Sequence, residues 1–264
     1  MIRGDAVTSF EDSRTATAPS LMSLVNAPAL PRPSRLGIAV LETLTDNIVS
    51  GELPPGSTLP TNPELCIAFG VSRTVVRESL KLMEEKGLIR AKQGQGTTVA
   101  PRNQWNLLDP LVLQSAIRYD ENLEILDNLI DVRVSLECLM VKKAALTMTD
   151  EQLGDLRASL EVLESLRDDP DRYLVADTEY HDVILVSSGN QLGRSVIRSI
   201  HPFARASTRY NPKVEVAEIQ ISHKGHVEIF DRIAAHDEEG ASQAMYQHIM
   251  GSWVERKNAR LLKN

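Results

Sequence analysis

A change of period between residues 36 and 100 constrains this chain most. Leu41, Leu44, Ile48 and Val49 recur at helical spacing, which predicts a first helix from Leu36 to Ser50, stopped by Gly51. Leu53-Pro54-Pro55-Gly56 makes a turn. Thr61-Asn62-Pro63-Glu64 then has the residues of a capping box, with Glu64 reaching back to Thr61, and opens a short second helix that ends at Gly70. Ser72 caps a third helix that reaches Lys86, with Gly87 as its terminator. Beyond it the period becomes that of strands. Leu88–Ala91 and Thr97–Ala100 read as a short pair, joined by the tight turn Gln93-Gly94-Gln95-Gly96. Helix, helix, turn, helix, hairpin is the order of a winged helix-turn-helix.

In that arrangement the second helix of the turn enters the major groove, and its first residues face the bases. Here it begins Ser72-Arg73-Thr74-Val75-Val76-Arg77. Arg73 and Arg77 are four apart and project from one face, and guanidinium forks match guanine edges or phosphates. Thr74 can donate to a phosphate oxygen, and the helix N-terminus at Ser72 favours phosphate through its free N–H groups. The hairpin offers Arg90, Lys92 and Gln93 around Gly94, where a bare backbone approaches DNA closely. An isolated arginine pair is ordinarily a solvated helix face; the surrounding motif makes this pair a reading face. The formal charge of the chain, −7, looks wrong for a DNA binder. The distribution resolves it: Pro31–Arg102 carries nine basic against seven acidic residues, and the acidity lies mainly beyond it.

The 264 residues are enough for two domains, and a core of Leu, Ile, Val and Ala with only 4% aromatics favours helices. Everything after Pro101 reads as helical, over roughly 110–118, 122–147, 150–168, 171–187, 190–209, 216–235 and 240–260. The expected organisation is a flexible arm (1–30), the DNA-binding domain (31–101), a linker and connecting helix (102–121), and an antiparallel all-α bundle (122–260), a mainly α fold. Cys66 and Cys138 fall in different domains and form no C-x-x-C, which fits a reducing compartment. With no apolar run of about 20 residues and no signal pattern, the chain reads as cytoplasmic, with no membrane partner.

Within the bundle the histidines stand out. Asp177 and His181 are four apart and share a helix face. The last two helices break near His236 to Gly240, about ten residues after His226 and about eight before His248. At ~1.5 Å per residue an antiparallel hairpin brings both imidazoles to a similar height. One carboxylate and three imidazoles then converge in a bundle core, a setting in which metal sites are built. That donor set suits a divalent ion, Zn²⁺ first, with Ni²⁺ as an alternative. His201, His223 and His236 fit the set less well, and His223 is the best stand-in.

The motifs also carry a family resemblance. Leu59-Pro60-Thr61-Asn62-Pro63-Glu64-Leu65, Gly70–Leu80 and Glu85-Lys86-Gly87-Leu88-Ile89 resemble the winged-helix domain of the GntR family over residues 36–100. One departure is Pro63, at a place where many members carry an arginine that touches the DNA backbone. Asp177-x-x-Tyr180-His181, Gly189-Asn190, His226-x-x-Ile229 and Met245-x-x-His248 resemble the FCD ligand-binding domain of its FadR subfamily over residues 122–255. Trp105–Pro110 is similar to the linker of galactonate-type sugar-acid regulators. The resemblance implies a metal at Asp177, His181, His226 and His248 with an acid effector beside it, and it matches Arg133 to an effector-facing arginine. By its residue type alone, Arg133 pairs either with a ligand carboxylate or with a neighbouring acid.

The function expected is a homodimeric transcription regulator, a repressor on a palindromic double-stranded DNA operator, released by a small carboxylate acting through the 101–110 connector. The alternatives are a purely structural metal with another organic or fatty acid-derived effector and, remotely, a metal-dependent hydrolase. No H-E-x-x-H, nucleophile elbow or phosphate loop supports an enzyme.

Overall fold

A computed structural model describes residues 35–92, 94, 96–206 and 216–261. The expected N-terminal arm and Gln93 lie outside the described residues. The described elements run in the order α1 (Arg35–Ser50), α2 (Asn62–Phe69), α3 (Arg73–Glu85), β1 (Ile89–Lys92), β2 (Gly96–Val99), a 3₁₀ turn (Arg102–Gln104), α4 (Pro110–Tyr119), α5 (Glu124–Thr147), α6 (Asp150–Ser165), α7 (Pro170–Ser187), α8 (Gln191–Ala206), α9 (Val216–Ala234) and α10 (Glu238–Leu261).

The ends of α2 and α3 follow the expected residues. The Glu64 carboxylate accepts from the Thr61 N–H at 2.7 Å and from its hydroxyl at 2.8 Å, so the reach-back half of the capping box is formed. Gly70 ends α2 with φ +64°, a conformation that other residues adopt at a cost. Ser72 Oγ accepts from the Val75 N–H at 3.4 Å. The hairpin starts one residue later than expected. The Leu88 N–H closes back onto the Met83 carbonyl at 3.0 Å, so Leu88 belongs to the terminal turn of α3. β1 and β2 pair antiparallel, Ile89 opposite Val99 and Lys92 opposite Gly96. Val40, Leu44, Ile48, Leu65, Val76 and Met83 fill the core of this head.

The connector is fastened rather than loose. The Asn106 N–H donates to the Lys86 carbonyl at 3.0 Å and the Trp105 indole donates to the Ala100 carbonyl at 3.1 Å. A Cβ on Gly87 would sit 2.1 Å from the Gln104 carbonyl oxygen, so only glycine lets the connector pack there. Lys86 pairs with Asp109, which also caps α4 through the Leu111 and Val112 N–H groups. α4 then belongs to both halves: Val112 is buried in the head core, Leu113 and Ile117 in the bundle core. Ser115 and Arg118 bind Asp46 of α1 at 2.6 and 2.5 Å, while α4 also packs on α8.

In the bundle, α5 runs antiparallel to α10: Asp127 accepts from Trp253 at 2.8 Å, and Lys142 reaches Glu239 at the opposite end. α10 begins at Glu238, two residues before the expected start, because Asp237 caps it by accepting from the Gly240 N–H at 2.9 Å. α9 lies against α10, α5 and α6, and α7 against α5, α6 and α8.

Candidate DNA interface and candidate metal centre

On α3 the apolar face points inward and the arginines outward. Val76, Ser79 and Met83 are buried, and the Ser79 hydroxyl donates to the Gly37 carbonyl of α1 at 3.0 Å. Ser72, Arg73, Thr74 and Arg77 are exposed on the opposite side. Arg90, Lys92 and Gly94 of the wing are exposed as well, and Gly94 holds φ +78° at its tip. The helix start and the glycine-tipped wing therefore present cations to solvent together, as groove and phosphate contacts require. Pro63 and Asn62 are exposed at the start of α2, so the departure from the family pattern sits on the surface.

In the bundle, α7 turns Tyr173, Asp177, Tyr180, His181 and Ile184 inward at helical spacing. α9 contributes His226 and α10 contributes His248. One ligand atom from each of Asp177, His181, His226 and His248 lies within 4.8 Å of the others, the separation a single ion would span. His181 Nε2 and His248 Nε2 are 3.2 Å apart, and the His226 and His248 rings are centred 4.3 Å apart. His226 Nε2 is buried 3.2 Å from an Asp177 oxygen, yet no group meets it in hydrogen-bonding geometry. An orphaned imidazole nitrogen, aimed at a carboxylate and two further imidazoles, fits a cation in their midst.

The electrostatics agree. Burial pushes His226 below the ordinary histidine value, against the pull of Asp177. Burial, with His226 and His181 beside it, pushes His248 well below that value. Both shifts favour the neutral imidazole, the form that binds metals.

Glu137, Tyr173, Tyr180 and Gly225 also build the site, and sequence reasoning gave none of them a role in it. His181 Nδ1 lies 2.8 Å from Glu137 Oε2, while the other Glu137 oxygen accepts from Arg133 Nε at 2.6 Å. Burial opposes the charge on Glu137, but Arg133 and His181 hold its carboxyl below the usual range. The Tyr173 hydroxyl is 3.1 Å from His226 Nδ1, and the Tyr180 hydroxyl donates to the His226 carbonyl at 2.9 Å. A Cβ on Gly225 would meet His248 Nδ1 at 2.6 Å, so the bare backbone of α9 admits the His248 ring. The i,i+4 spacing of Arg133 and Glu137 was the one available signal.

Two of the remaining histidines are engaged elsewhere, and the third lies beside the site. His223, the expected stand-in, turns to Glu164 of α6 at 2.6 Å, and His236 meets the Ala145 carbonyl at 2.8 Å. His201 is buried on α8 and lines two cavities. One, of about 660 Å³, is also lined by Glu137, Thr178, His181, Asp182 and Arg198. The other, of about 20 Å³, is lined by Arg133, Asp177, His248 and Arg256. Arg133 thus pairs with a neighbouring acid and also borders the small cavity.

Comparison with known proteins gives this architecture its class. Residues 37–99 match the family described as bacterial regulatory proteins, gntR family, and residues 128–251 match the FCD domain. The chain is 32% identical over 213 residues to the galactonate operon transcriptional repressor of Escherichia coli K12, covering 81% of this chain and 93% of that one. It is 27% identical to the transcriptional repressor NanR of Enterobacter sp. strain 638, covering 81% and 83%. The solved structure of Listeria monocytogenes Lar, which controls expression of that organism's agr system, shares the fold with a TM-score of 0.57 at 17% identity, over 86% of this chain and 99% of that one. The chain belongs to the GntR family: it is a transcription regulator with a winged helix-turn-helix and an FCD domain, and its relatives are regulators rather than enzymes. Among the described residues no helix is long and apolar enough to cross a membrane.

Proposed function

We propose that this regulator is a cytoplasmic homodimeric repressor that binds a palindromic operator through Arg73, Arg77 and the wing and is released by a small polyhydroxy carboxylate. One observation carries the sensing half: the buried Asp177/His181/His226/His248 set borders a cavity large enough for such a molecule, with His181 in both. The name of one relative, the galactonate operon repressor, favours a sugar acid.

Asp177, His181, His226 and His248 would hold the metal, with Zn²⁺ the ion that three imidazoles and a carboxylate suit best. When bound, the metal supplies a Lewis-acidic site for an effector carboxylate. The chain's own residues do the rest. Arg133 and Arg256 bring positive charge to the small cavity beside His248, and Thr178 and Asp182 line the large one where hydroxyl groups would seat. α8 forms a wall of that large cavity through Ile197, Arg198 and His201, and it packs on α4, which is fixed to the head. A shift of α8 would reach α1 through Asp46 rather than through a free connector.

Gel-shift titration of the Zn²⁺-loaded full chain on its own upstream DNA, with galactonate and other sugar acids, tests this reading. A sugar acid should weaken operator binding by about 5–150-fold, the range of ordinary allosteric coupling. No response to any acid overturns the effector assignment.

A further inference from the structure

We propose that Glu137 is a positioning residue of the metal centre, fixing His181 in the tautomer that turns its Nε2 lone pair towards Asp177, His226 and His248. The proposal rests on the metal reading above and assigns work to a residue outside the four ligands.

The geometry leaves His181 little choice. Arg133, Glu137 and His181 are all buried, with at most 5% of any of them exposed. Arg133 Nε donates to one carboxylate oxygen of Glu137 at 2.6 Å, and His181 Nδ1 stands 2.8 Å from the other. A carboxylate engaged by a guanidinium is acceptor only, so the proton between it and His181 belongs to Nδ1. Nε2 is then the ring nitrogen left for a ligand, and it points at His248 Nε2, 3.2 Å away. An outer carboxylate of this kind fixes ring orientation and raises the basicity of a ligating imidazole.

His226 shows what the alternative looks like. Its Nδ1 faces the Tyr173 hydroxyl, which can donate or accept, so either tautomer is served. His181, unlike His226, is committed in advance. Arg133, on this account, holds Glu137 in place.

Two measurements test the assignment. Nitrogen NMR of histidine-labelled, metal-free wild-type protein reads the tautomer directly, and His181 should carry its proton on Nδ1. Competition with a chromogenic chelator compares Zn²⁺ affinity of the wild type and Glu137→Gln. The variant should bind about 10–100-fold more weakly. A proton on Nε2 in the wild type overturns the proposal even if the variant does not fold. Wild-type affinity in a folded Glu137→Gln overturns this role alone; a wild type that takes up no Zn²⁺ overturns the metal reading together with it.

Discussion

In the head the working side chains lie outside the core; in the bundle they are part of it. Arg73 and Arg77 stand exposed on a helix whose other face, Val76, Ser79 and Met83, does the packing. His181 and His226 are as buried as the leucines around them, at 3% and 0% exposure. The difference teaches where function and stability can be separated. An exposed arginine can be removed without opening a cavity. A buried imidazole cannot, because each of its nitrogens is an obligation the fold must meet.

The comparison would break most visibly in the head. Arg73→Ala with Arg77→Ala should cost about 2–6 kcal/mol of operator affinity, at roughly 1–3 kcal/mol for each bidentate contact. The thermal transition should stay in place. Fluorescence anisotropy on operator DNA, beside a melting curve, measures both; an unchanged affinity would move the reading face elsewhere. In the bundle, ligand and stability should change together. Stripping metal from protein held at about 1,000 times its Kd should remove about 4 kcal/mol. Calorimetry should show this as a melting shift on the order of 10 °C, and no shift would sever the metal from the fold.

Gly225→Ala sharpens the contrast, since it changes no ligand. The added methyl would displace the His248 ring, and Zn²⁺ affinity should fall by about 10–100-fold in chelator competition, the loss expected when a ligating imidazole is misplaced. Equal affinity would show that α9 and α10 adjust freely. The smallest effect concerns pH. Burial holds His226 and His248 below the histidine value of 6.5, so between that value and their folded values the unfolded chain binds more protons. Their contribution to stability is present above pH 6.5 and drains as pH falls towards the folded values. Metal-free protein should therefore melt earlier at about pH 5.5 than at about pH 7.5, and a flat profile would contradict neutral imidazoles in the folded state.

Much of the head is legible because its signals are local. Thr61 with Glu64, Gly70, Ser72 and Gly87 mark helix ends within a few residues of the groups they satisfy. The hairpin was displaced by one residue because Leu88 serves α3 before it serves the strand. In the bundle, Asp177 and His181 declare a common face by spacing alone, and a hairpin count brought His226 and His248 to one level. The same reading left His223 as the stand-in for His226. They are three apart on α9, and only the placement of α6 gives His223 to Glu164.

The sequence alone set the helix order, the ends of α2 and α3, the outward arginines and the class of the fold, since each depends on backbone preferences and on periodicity within one element. Tertiary structure decided that Glu137 meets His181, that Gly225 admits the His248 ring, and that the connector is pinned by Lys86 and Gly87. Such contacts join residues tens of positions apart, and a shift of one residue in how two helices pack would turn those side chains to different neighbours.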